Sequence, residues 1–297
     1  MSKYYYIKFT KENRRQIKSL LLAPLILALA IFLPLAKADF QGIVSPLPVD
    51  FYDQREILSN SAPLVIPTPN TPTPVSTPIP SQKTNEKKYT KNSYAIVIYG
   101  DSMVDTMGKR LEYLEGSLKK QYPNLNFNLF NFGKGAENVE MGLLRWEERF
   151  DYQNRHYPAI DEVKPDIIIL GSFAYNPFSP YDRNRHWLNL TKMIEKARKI
   201  TPHVYLLAEI APLRDDFGKG PNGVNWDKET AYSHSGQIFE QLENAVGLAR
   251  SLEVPLINAF SKSDGQVSYV DPNDGIHPSV SGHQFTADLI ASTIKLW

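Results

Sequence analysis

The stretch from Ser93 to Trp297 reads as one α/β domain, a three-layer α/β/α sandwich around a five-stranded parallel, flavodoxin-like sheet. Two observations predict it. Short, continuously apolar runs recur along this stretch, and each is followed by a segment with apolar residues at helical spacing. Continuous apolar strands imply burial on both faces, which only helices packed on both sides of a parallel sheet provide. About 205 residues is an ordinary length for one such domain.

The elements follow in order. Tyr94-Ala-Ile-Val-Ile-Tyr99 is the first strand, and Val104, Met107, Leu111, Leu114 and Leu118 then stand at helical spacing. Asn126 to Phe132 is the second strand, with a helix expected over Val139 to Phe150. Asp166-Ile-Ile-Ile-Leu170 is the third, before a helix from about Trp187 to Ile200. His203 to Glu209 is the fourth, before a helix over Glu229 to Leu252. Val254 to Asn258 is the fifth, and a last helix near Ser281 to Leu296 sets Phe285, Leu289 and Ile294 on one face.

The N-terminal third has a different character. Residues 1–18 form a basic tail: Lys3, Lys8, Lys11, Arg14, Arg15 and Lys18 stand against the single acid Glu12. Residues 19–36 carry no charge and as a helix would span roughly 27 Å, close to a bilayer core of about 30 Å. The positive-inside rule keeps the tail cytoplasmic and exports everything after Asp39. Ala36-Lys37-Ala38 resembles a signal-peptide cleavage site, but the apolar run is longer than most signal cores, which favours a retained transmembrane anchor over 19–38. If the chain is cleaved after Ala38, the domain is secreted instead. Residues 39–92 read as an extracytoplasmic linker, with seven prolines between Pro63 and Pro80 among Thr, Ser and Asn. Proline removes donors and fixes φ, so this stretch is an extended spacer.

Composition excludes other classes. A net charge of +1 and no basic patch interleaved with aromatics argue against nucleic-acid binding. The absence of Cys excludes disulfides, thiol nucleophiles and Cys-ligated metals. His156, His186, His203, His234 and His283 show no metal-ligand spacing and read as surface or capping residues.

Four loops carry candidate chemistry. Gly100-Asp101-Ser102 stands where the first strand passes into a helix, so the hydroxyl lies at the carboxyl edge of the sheet and the N–H at a helix start. By itself this is also good turn and N-cap chemistry. Asp274-Gly-Ile-His277-Pro278 precedes the last helix. A serine needs a base, and the base needs an acid to hold its tautomer; Asp274 can supply it, with Asp271 a competitor. Asn131-Phe-Gly133-Lys-Gly135 follows the second strand and Gly171-Ser-Phe-Ala-Tyr-Asn176 the third. Glycine N–H groups and the Asn176 amide can approach a ligand there, though both segments also suit ordinary turns. All four candidates fall at strand carboxyl ends, the edge where parallel sheets bind ligands.

This order of motifs resembles the SGNH (GDSL-type) hydrolase family over roughly residues 93–297. The resemblance implies Ser102 as nucleophile and oxyanion donor, His277 as general base and Asp274 as its partner. It also implies an oxyanion hole completed by a glycine N–H, taken as Gly135, and by Asn176, with no metal or organic cofactor. Two blocks depart from the family pattern. Its glycines are usually spaced further apart than Gly133 and Gly135, and its third block usually reads Gly-x-Asn-Asp, whereas Asn176 stands five residues after Gly171 and is followed by Pro177.

The expected activity is hydrolysis of a short acyl ester, such as acetyl, on a glycan or lipid by a monomeric catalytic domain. An O-acyltransferase using the same triad and a silent glycan-binding scaffold are the alternatives. Phe173, Tyr175, Phe178, Tyr181 and Trp187 crowd the third loop as wall or sugar platform, and residues 214–225 read as a solvated loop or mobile flap. Asn189-Leu-Thr191 forms a glycosylation sequon inside an expected helix.

Overall fold

The computed structural model describes residues 89–297. The expected membrane segment at 19–38 and the linker as far as residue 88 lie outside the described residues. Among those described, no helix is long and apolar enough to cross a membrane. Residues 89–92, expected as the end of the linker, are seated on the domain. Thr90 N and Oγ1 both donate to the carbonyl of Trp297, at 2.9 and 2.8 Å.

Five parallel strands form the sheet: β1 (Ser93–Gly100), β2 (Asn126–Gly133), β5 (Ile167–Gly171), β6 (Val204–Ala208) and β7 (Leu256–Asn258). Their order is β2-β1-β5-β6-β7. The sheet therefore grows one way from β1 to β2 and the other way from β5 onward. Right-handed crossovers put the connecting helices on opposite faces when the direction reverses. One face carries α2 (Glu112–Gln121) against α8 (Val280–Thr293), and the other carries α3 (Val139–Leu144), α5 (Arg183–Ile200) and α6 (Lys228–Ser251). The reversal falls between β1 and β5, where a doubly wound sheet opens a crevice at its carboxyl edge.

Burial explains the apolar runs. Ile96, Val97, Ile98 and Tyr99 on β1 and Ile167 through Leu170 on β5 are fully enclosed, since these strands have helices above and below. Asn189 is buried on α5, which leaves its sequon inside the fold.

Two expected helices are shorter than their spacing implied. The run from Val104 to Leu118 is broken into α1 (Ser102–Asp105) and α2. Between them Gly108 has φ +94° and Leu111 φ 55°. The break is stabilised from β2: Asn131 Nδ2 donates to Val104 O at 2.9 Å and to Gly108 O at 2.8 Å, while Asn131 Oδ1 accepts from Gly133 N at 2.8 Å. A side chain distant in sequence thus takes the carbonyls that a continuous helix would have used.

The helix expected over 139–150 ends at Leu144 and runs into a 3₁₀ turn, Arg145–Glu147. A hairpin follows, with β3 (Phe150–Tyr152) antiparallel to β4 (Arg155–Tyr157). Its strands of three residues are too short for an alternating pattern to stand out against helical spacing. Phe150 stacks on Tyr157 at 4.4 Å, a long-range use of residues that also suit a helix face.

Asn131→Ala would remove the amide from the carbonyls of Val104 and Gly108, leaving them only the N–H groups of Met107 and Leu111, and would take the side-chain acceptor from Gly133 N. It is expected to lower unfolding free energy by at least about 2 kcal/mol, read from denaturant melts, and a change below about 0.5 kcal/mol would show that water replaces the amide.

Candidate active site

Ser102, Gly135, Asn176 and His277 line one cleft of about 730 Å³ at the carboxyl edge of the sheet, so the structure brings together four loops that are far apart in the sequence. Ser102 is the first residue of α1, immediately after β1. Asp101 caps this helix, its Oδ1 accepting from Met103 N at 3.0 Å.

His277 and Asp274 are hydrogen-bonded, Nδ1 to Oδ2 at 2.7 Å. The other oxygen of Asp274 accepts from the N–H groups of Ile276 at 2.8 Å and His277 at 3.0 Å. Burial works to raise the Asp274 carboxyl, but the imidazole and these two N–H groups hold it below its ordinary value. Asp271 does not compete, because its Oδ1 is turned to the backbone and side chain of Asn273, each at 2.9 Å. With Nδ1 on Asp274, the opposite ring nitrogen is the one available to the cleft. His277 makes no hydrogen bond to Ser102 in this structure.

The loop carrying His277 is held by its neighbour. Gly218 N donates to Gly275 O at 2.9 Å and Asn222 N to Asn273 O at 2.8 Å. Gly275 has φ +68°, and a side chain there would stand 2.5 Å from the backbone of Lys219. Residues 214–225 are mostly exposed, as a solvated loop would be, but these hydrogen bonds tie them to the His277 loop, and they bring Phe217 and neighbouring Trp226 to the cleft wall.

Asn176 reaches the cleft by an irregular route. Phe173 adopts φ 56° and is completely buried. The Tyr175 hydroxyl donates to Ile210 O at 2.8 Å. Asn176 Nδ2 donates to Asp101 Oδ2 at 3.0 Å. An amide nitrogen has two hydrogens, so one holds Asp101 and the other is free for the cleft.

Below this loop is a buried polar layer that the sequence did not reveal. Ser172 N donates to Glu209 Oε1 at 2.8 Å, and Ser172 Oγ is bonded to Glu209 Oε2. Burial pushes the carboxyls of both Asp101 and Glu209 above their ordinary values, and Asp101's charge raises Glu209 further. Asp101 accepts two N–H groups, which favour its charged form, and Glu209, facing that charge, is pushed up further.

His186, expected at the surface, belongs to the same layer. Its Nε2 meets Ser172 O at 2.8 Å, so that nitrogen carries the hydrogen, and Nδ1 accepts from Asn244 Nδ2 at 3.3 Å. Burial pushes its pKa down to about 4, leaving it neutral. His283 is likewise buried, stacked on Tyr113 at 5.7 Å, and His234 lines the cleft beside Trp226.

A buried guanidinium supports the opposite side. Arg145 Nη2 donates to Gly100 O at 2.9 Å and Phe132 O at 3.1 Å, and its Nε is paired with Glu137. Lys134 Nζ reaches the same carboxylate at 2.9 Å. The charge pair thus ties the ends of β1 and β2 to the loop that carries Gly135. A mid-helix Arg beside Trp146 gave no sign of this role in the sequence.

This chain belongs to the GDSL-like lipase/acylhydrolase family, whose model matches residues 96–290, and it is an ester-hydrolysing enzyme. Its fold is similar to that of a lipase/acylhydrolase from Enterococcus faecalis, at 17% identity and a TM-score of 0.51, over 69% of this chain and 98% of that one. A catalytic mutant of an acetylxylan esterase from Geobacillus stearothermophilus is similar at 16% identity and a TM-score of 0.48, over 69% and 95%. No curated protein matches the chain in sequence.

Glu209 gives a pH test. Folded, it keeps a proton that the unfolded chain releases in the ordinary carboxylate range, so its contribution to stability is full at low pH and is lost as pH rises through the raised value. Glu209→Gln keeps an acceptor for Ser172 N and removes the ionisation. Between about pH 6 and 9 its thermal midpoint should fall less than that of the wild type, and equal slopes would refute the assignment.

Proposed function

We propose that the enzyme removes short acyl groups, acetyl above all, from glycans outside the cytoplasm, with Ser102 as nucleophile. The observation that carries this reading is the 2.7 Å Asp274–His277 hydrogen bond in a cleft that Ser102 also lines. His277 Nε2 takes the Ser102 proton as Oγ attacks the acyl carbon. The resulting oxyanion is met by the N–H groups of Ser102 and Gly135 and by the free Asn176 N–H. Collapse expels the sugar alcohol, which takes the proton back from His277. Water, deprotonated by the same imidazole, then attacks the acyl-enzyme, releasing the acid and restoring Ser102. Asp274 keeps its negative charge throughout and stabilises the imidazolium. The chemistry calls on no group beyond these side chains and water.

The cleft walls favour a sugar as the alcohol. Trp226 stands edge-on to His234 at 4.9 Å and beside Phe217 at 6.2 Å, and is only partly buried. Asn138 and Gln153 also line the cleft. A pyranose offers axial C–H groups to an aromatic face and hydroxyls to polar groups, whereas a long acyl chain needs a continuous apolar trough. Export and tethering rest on the uncharged run at 19–36, its basic flank and the proline-rich spacer.

Ser102→Ala should abolish acetate release from p-nitrophenyl acetate and block labelling by a fluorophosphonate probe; retained turnover would remove Ser102 from the mechanism. Trp226→Ala should raise KM for an acetylated oligosaccharide about tenfold while leaving KM for p-nitrophenyl acetate within about twofold, the value of one stacked ring. Equal effects on the two substrates would count against a sugar.

A further inference from the structure

The β3–β4 hairpin lines the cleft with Tyr152 and Gln153, and the Tyr152 hydroxyl is its link to Gly135. Tyr152 Oη accepts hydrogen bonds from Gly135 N at 3.2 Å and from Gln153 Nε2 at 3.0 Å, and it donates to Asp105 Oδ2 at 3.3 Å. Asp105 is ion-paired with Arg155 on the second strand, and these side chains are only 11% and 12% exposed. Gln153 and Asn154, the two turn residues, have φ of 49° and 60°, the combination that matches the twist of a tight hairpin. With Arg155 clamped on α1 and Phe150 stacked on Tyr157, the phenol is held over Gly135.

The place it occupies matters. A methyl group added at Gly135 would stand 2.9 Å from the Tyr152 oxygen and 3.9 Å from Ser102 Cβ. Phenol, glycine and serine therefore share one corner of the cleft. An acceptor aligned with the Gly135 N–H sits where the oxygen of an attacked ester carbonyl has to sit, and a single N–H serves one acceptor well.

We propose that Tyr152 is a further substrate-contacting residue: its hydroxyl holds the Gly135 N–H in the empty enzyme, and an ester carbonyl must take that donor from it. The inference rests on Gly135 as an oxyanion donor. The displaced hydroxyl keeps Asp105 and Gln153 as partners, so the exchange costs about one hydrogen bond. Because that bond breaks before chemistry, the penalty weighs equally on bound substrate and transition state and appears in KM.

Tyr152→Phe in the full chain tests this, since the ring and its packing beside Arg155 are kept. With p-nitrophenyl acetate, kcat/KM should rise about 2- to 10-fold, mostly through KM. An unchanged kcat/KM overturns the proposal. A fall in kcat of about a hundredfold also overturns it, marking Tyr152 as a donor to the oxyanion instead. Gln153→Asn suits the left-handed turn but cannot steady the hydroxyl, and it should shift KM the same way by a smaller factor should Tyr152→Phe fail to fold. Fluorophosphonate labelling that survives Ser102→Ala would sink the reading of the cleft and the proposal with it. Labelling that depends on Ser102, with wild-type KM in Tyr152→Phe, would sink the proposal alone.

Discussion

The cleft depends on one buried ion pair. Arg145 holds the last carbonyl of β1, that of Gly100, and the Phe132 carbonyl near the end of β2, and it is neutralised by Glu137, which stands two residues after Gly135. The guanidinium is 5% exposed and lies 4.2 Å from the centre of the Tyr99 ring, so its charge has no access to bulk water. A buried charge that loses its partner costs about 3 to 5 kcal/mol, so the two loops it joins cannot drift apart cheaply. Ser102 and Gly135 project from the strand ends that it braces.

The opposite wall is built on a different principle. Instead of a charge pair, it uses a column of neutral and half-neutral hydrogen bonds running from Asp101 through Asn176, and from Glu209 through Ser172 to His186 and Asn244. All but the half-buried Asn176 are buried, and each is bonded to the next, the condition under which a polar network rigidifies a core instead of weakening it. Rigidity there explains how a third block without the usual Asn-Asp pair still delivers an amide to the cleft. Asp101 does two jobs in this column, capping the helix that carries Ser102 and holding Asn176 in place.

Much of the domain was legible because its signals are local. Strands buried on both faces must be apolar throughout, so β1, β5 and β6 could be read to within a residue or two. The motif at 274–277 was legible because a carboxylate three residues before a histidine can reach it within one turn. The glycine and asparagine loops could be placed at the carboxyl edge from strand order alone. The break at Gly108 could not, because its carbonyls are satisfied by Asn131 on another strand. The hairpin was hidden by its shortness, and Glu209 looked like the last residue of an ordinary strand.

The amino-acid sequence by itself determined the class of fold and pointed to the sheet edge, the serine and the histidine expected to act, through periodicity, spacing within a few residues and an order of motifs that resembles a known family. Only the tertiary structure decided which carboxylate serves His277, which acids are buried together beneath the cleft, and what stands against the Gly135 N–H. Those outcomes depend on distance and desolvation between segments that approach one another only after the chain has closed.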